Sequence, residues 1–113
     1  MIVLPFLLSV ILFGVTFAEN GQKTIGNWLE IMSPDDPVVI RVGKFAVEEH
    51  NKVSNSTLKF EEVIKGYNQI VGGMNWRLTI VVEDNGSLKN GEVFVYEQSL
   101  KNVRKLISFK IIQ

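Results

Sequence analysis

Few residues in this 113-residue sequence have the types that act on a substrate. It contains one histidine, His50, and no cysteine. Without cysteine there is no thiolate, and an activated hydroxyl needs a base held beside it, most often a histidine. No serine sits in the sharp strand-to-helix turn that would expose such a nucleophile. His50 falls at the margin of an apolar helical arc, which is the place of a packed imidazole. One histidine and scattered carboxylates offer no metal-ligand spacing. Glu61 and Glu62 alternate faces on a strand, so they do not converge on one substrate atom and read as a solvated edge. The sequence implies no enzyme, no metal and no cofactor. Binding is what remains.

The residues that suggest binding are 68–76, "NQIVGGMNW". Gln69, Ile70 and Val71 continue a strand, and Gly72 and Gly73 then supply the backbone freedom of a tight turn. This leaves Ile70 and Val71 at a hairpin tip, in water. An apolar, tightly turned tip is expected where a partner covers it.

The elements that must position this tip follow from pattern. Asp36 before Pro37 makes a helix N-cap with proline at the first helical position. From there Val38, Val39, Val42, Phe45, Ala46 and Val53 fall on one arc at about 100° per residue, with Arg41, Lys44, Glu48 and Asn51 on the other side. The helix is expected to end in "SNST", with Asn51 tying the following turn. "WLEIM" (28–32) predicts a short strand ahead of the helix. After Leu58 come branched and aromatic runs: "LKFEEVIKGYNQIV" with Gly66 a candidate bulge, "WRLTIVVE", "EVFVYE" and "VRKLISFKII". "DNGSLKNG" (84–91) reads as a turn-rich connection. The fold class is therefore α+β, one amphipathic helix packed against a four- to five-stranded antiparallel sheet.

Residues 1–18 have no charged side chain and end in Thr16, Phe17 and Ala18, which fits a signal peptide cut before Glu19. A secreted domain of residues 19–113 is expected, with no membrane association after cleavage. Twelve basic and twelve acidic side chains balance, so nothing attracts nucleic acid or an anionic membrane. A monomer is expected. Export would expose two glycosylation sequons, at Asn55 and Asn85.

The run "VGKFAVEEHN" (42–51) resembles the helix signature of the plant cystatins, inhibitors of papain-like cysteine proteases. "QIVGG" (69–73) is similar to that family's Gln-x-Val-x-Gly hairpin, at Gln69, Val71 and Gly73. Gly26 corresponds to the family's N-terminal glycine region, with Asn27 in its second place. The resemblance spans residues 25–112 and implies the cystatin-like fold. One departure stands out: Ser99 and Leu100 occupy the second hairpin, where the family has Pro-Trp.

What the resemblance implies is a wedge of three parts. They are the segment at Gly26 and Asn27, the first hairpin with Gln69, Ile70, Val71, Gly72 and Gly73, and the second with Ser99 and Leu100. Such a wedge blocks a protease cleft competitively and reversibly, with no acyl intermediate. In that reading Gly26 is a hinge that lets the N-terminal segment lie along the cleft, and Gln69 holds the hairpin by hydrogen bonds. Two alternatives stay open: a cystatin-fold binding module without inhibitory activity, and an enzyme on a helix-and-sheet scaffold.

Overall fold

Asp36 starts the helix as its residues require. The computed structural model describes residues 24–25 and 27–112, so the expected signal peptide and Gly26 lie outside the described residues. The Asp36 carboxylate accepts from the Val38 backbone N–H at 2.8 Å, with Pro37 in the first turn. The helix, α1 (Pro37–Ser54), closes at Asn55 in the left-handed conformation, φ 54°. Asn51 ties the exit as expected: its amide donates to the Leu58 carbonyl at 2.9 Å and accepts from the Leu58 N–H at 3.1 Å.

The strands are β1 (Thr24–Ile25), β2 (Trp28–Glu30), β3 (Lys59–Ile70), β4 (Met74–Asp84), β5 (Ser87–Gln98) and β6 (Val103–Ile111). They form one antiparallel sheet in chain order, and the long strands β3 to β6 make a meander. Alternation works as read on β4: Trp76, Leu78, Ile80 and Val82 are all buried. With Val93 and Val95 of β5, Val63 of β3 and the helix residues Val39, Val42, Ala46 and Val47 they form the core. Among the described residues no helix is long and apolar enough to cross a membrane.

Several expectations are corrected. Val38 and Val53 are 43% and 84% exposed, whereas Val47, not read as apolar-face, is 3% exposed. Val53 lies in the last helical turn, where it borders an open groove beside β6 and stays in water, and Val38 sits at the edge of the arc. No bulge occurs at Gly66, which pairs with Leu78; the register shifts lie between Phe60 and Glu62 and between Val63 and Lys65. Glycine is required at 66 by crowding, since a Cβ there would lie 2.5 Å from Leu78 Cδ2 and 2.9 Å from the Arg77 carbonyl. The irregular register also leaves Glu61 and Glu62 both exposed.

The expected loop at 84–91 is a two-residue turn. Asn85 and Gly86 both have positive φ, 53° and 87°, as a mirror-image hairpin turn demands, and β5 begins at once with Ser87. The strand expected over 28–32 ends at Glu30, although Ile31 still donates its N–H to the Gly66 carbonyl at 2.8 Å. His50 is a packed residue, stacked on Phe109 of β6 with ring centroids 3.9 Å apart and planes 13° from parallel.

Candidate functional site

β3 and β4 stay paired out to Ile70 and Met74, so the first hairpin tip is only Val71, Gly72 and Gly73. The Val71 N–H donates to the Gly73 carbonyl at 3.0 Å and closes it. The two glycines differ in purpose. Gly72 has φ 63° and open space around its Cβ position. Gly73 has φ 138°, and a Cβ there would lie 2.7 Å from the Glu97 carbonyl and 2.8 Å from the Tyr96 ring. Only glycine fits at 73.

β5 carries the chain back to the same end of the sheet, because Met74 pairs with Glu97. There Ser99–Lys101 form a single 3-10 turn, and Asn102, at φ 51°, reverses the chain into β6. The second loop thus lies beside the first. Its Leu100 is fully exposed, and Ile70 and Val71 of the first are 76% and 61% exposed. Segment 68–76 has no charged side chain, so the first tip offers apolar surface and backbone groups only.

Gln69 holds the hairpin through its backbone, paired with Asn75, and its side chain makes no hydrogen bond among the described residues. The tip itself is held by Tyr96 and Gln98, which the sequence reading missed. The Tyr96 hydroxyl donates to the Gly72 carbonyl, and the Gln98 side-chain amide donates to the same oxygen at 2.9 Å. Nothing local in the sequence marks these pairs, whose members are 24 and 26 residues apart.

Leu29 pairs with Asn68 and Glu30 with Tyr67, which brings the start of β2 toward the first hairpin. Gly26, the expected hinge, lies outside the described residues, but the residues on either side of it are placed. Thr24 pairs with Leu29 and Ile25 with Trp28, so the chain reverses between Ile25 and Trp28 and runs back along β2. Exposed Asn27 lies in that reversal. Trp28 is anchored by an edge-on contact with Phe94, centroids 5.8 Å apart, and by the Arg77 guanidinium 5.3 Å from its ring centre. The N-terminal reversal and the two loops therefore share one end of the sheet. Among the described residues no group of histidine, aspartate and glutamate could hold a metal ion.

A helix wrapped by a meander with two loops at one end is the architecture of the cystatins. The salivary cystatin of the soft tick Ornithodoros moubata superposes with a TM-score of 0.67 at 16% identity, over 79% of this chain and 99% of that one. The family model SQAPI, described as aspartic acid proteinase inhibitor, matches residues 31–112. Cysteine proteinase inhibitor 5 of Arabidopsis thaliana is 36% identical over 110 residues, 96% of this chain and 90% of that protein. Cysteine proteinase inhibitor 1 of Actinidia chinensis var. chinensis is 37% identical over 93 residues, 80% of each. The chain belongs to the plant cystatins, a family of protease inhibitors and not of enzymes.

Proposed function

We propose that the chain is a reversible, competitive inhibitor of papain-like cysteine proteases. Its first hairpin, its second loop and the segment at Gly26 and Asn27 enter the active-site cleft together. The observation that carries this reading is the cluster of large apolar side chains left in water at one end of the sheet, Ile70, Val71 and Leu100. Burial of each in a cleft contributes about 1.5–3 kcal/mol at most. The relatives named as cysteine proteinase inhibitors support the target class. Inhibition by occupancy needs no nucleophile, and segment 68–76 offers none.

The deciding measurement titrates the protein against active papain at several substrate concentrations. Stoichiometric loss of activity that substrate competes away is expected, and papain with its thiol capped by a small group should still bind. No effect at micromolar concentration favours the binding module instead, and turnover of substrate would revive the enzyme. The matching family description favours a second target class, the aspartic proteases. A parallel titration against pepsin separates the two: inhibition of pepsin alone would replace the first reading.

Secretion after cleavage before Glu19 belongs to the same proposal, as does a monomeric state. Asn55 follows the C-terminal end of α1, and Asn85 lies in the turn joining β4 to β5; both are exposed. β4 separates Asn85 from the first tip by about 35 Å, at ~3.3 Å per residue, so a glycan there would leave the loops clear. A mass decrease of the secreted protein on glycosidase treatment is the expected sign.

A further inference from the structure

The Gly72 carbonyl uses both of its lone pairs on β5, one for the Tyr96 hydroxyl and one for the Gln98 amide. Tyr96 and Gln98 are two apart on a strand, so both reach the same face of the sheet. Glu97, between them, presents its backbone carbonyl to Gly73, the position where no Cβ fits. Gln98 also precedes the 3-10 turn of the second loop as its N-cap residue, yet its side chain makes no capping bond there. Its amide is committed to the other loop.

We propose that Tyr96 and Gln98 are positioning residues that fix the first hairpin tip in its binding conformation, making the two loops one mechanical unit. This rests on the inhibitory reading above. A tip containing two adjacent glycines would otherwise sample many conformations and lose that freedom on binding. Two hydrogen bonds from a neighbouring strand remove most of the freedom beforehand. Pressure on the second loop is felt at Gly72 through Gln98.

The test compares Tyr96→Phe, Gln98→Ala and the double variant with the parent, in the full secreted protein. Amide hydrogen exchange at Val71, whose N–H closes the tip, is read in the free protein, and dissociation rate is read on immobilised papain. Each lost bond should speed Val71 exchange and dissociation by about three- to tenfold, while the melting temperature falls by only a few degrees and the transition stays cooperative. Gln98→Glu keeps the side-chain length and loses the donor, so it repeats the Gln98 measurement should Gln98→Ala fold poorly. Val71→Ala should cost less in the double-variant background than in the parent.

Unchanged Val71 exchange in the double variant overturns the proposal. So does faster dissociation with unchanged exchange and additive effects, since Tyr96 and Gln98 would then touch the protease directly. Faster exchange with an unchanged off-rate overturns the role in binding. A parent protein that leaves papain active refutes the inhibitory reading instead, and exchange alone then decides whether the two residues hold the hairpin.

Discussion

The Trp76 indole N–H donates to one carboxylate oxygen of Glu97 at 3.0 Å, and the other oxygen pairs with Arg104 Nε at 2.6 Å. The Arg104 guanidinium in turn stands 5.3 Å from the ring centre of Phe45 on the helix. Three strands and the helix are thereby joined just behind the two loops. The Glu97 side chain is 14% exposed, so water satisfies little of what this carboxylate does.

Glu97→Ala should therefore lower stability by about 1–3 kcal/mol, because it strands a buried indole donor and unpairs a cation. Glu97→Gln keeps an acceptor for Trp76. It should cost less than about 1 kcal/mol, since Arg104, with its side chain 38% exposed, can turn to water. Denaturant midpoints at constant m-value make the comparison. Equal losses in the two variants would mean that the ion pair, not the indole bond, holds this junction.

The first hairpin gives a paired prediction. Gly72→Ala meets no atoms and costs only the left-handed backbone, about 1 kcal/mol. Gly73→Ala meets the Glu97 carbonyl as well as an unfavourable φ, and should cost about 1–3 kcal/mol more locally. Val71→Asp leaves the fold intact and puts a charge into a desolvated contact, so it should weaken inhibition most for the least change in melting temperature. Off-rates and melting curves on all three variants test this. A Val71→Asp protein that melts early would make the tip part of the core.

Much of this architecture was legible because its signals are local. Asp36 and Pro37 announce the helix start, and β4 alternates without interruption. The helical arc gave direction but not extent, so it included Val53, which stays in water at the helix end, and omitted Val47, which is buried. Asn90 and Gly91 resemble turn residues, yet they pair with Val81 and Ile80 inside the sheet, because the short turn at Asn85 and Gly86 had already reversed the chain. At the site, the apolar tip and its glycines were readable. The grip of Tyr96 and Gln98 on a distant backbone carbonyl was not, since a side chain that bonds to main chain leaves no pattern at its partner.

Thr24 and Ile25 are paired back along β2, which changes what removal of the N-terminal residues should do. Deletion through Ile25 removes a two-residue strand whose run leads away from the loops, so papain off-rates should change by less than about threefold. Deletion through Trp28 also removes the ring held by Phe94 and Arg77 and opens the edge beside Asn68, and dissociation should accelerate well beyond that. A large effect from the shorter deletion would mean that β1 peels away and docks in the cleft.

The last prediction concerns Ser99 and Leu100, where the resemblance leads one to expect Pro-Trp. Leu100 is fully exposed and fills less of a pocket than tryptophan, a side chain over-represented among binding hot spots. Ser99 opens the 3-10 turn, and the first position of a helical turn is where proline is best tolerated. Gln98, at φ −138° and ψ 106°, already has the extended backbone that a following proline favours. The local structure thus accepts the double substitution without disturbing the Gln98 amide on Gly72. Ser99→Pro with Leu100→Trp should tighten papain binding by about ten- to hundredfold, on the order of 1–3 kcal/mol, through slower dissociation. Leu100→Ala in the parent should weaken binding only modestly. Val71 amide exchange should stay at the parental value in the double variant, which separates a new pocket contact from a rearranged first hairpin. A well-folded double variant that dissociates as fast as the parent would mean that this loop is tuned to a cleft without a tryptophan pocket.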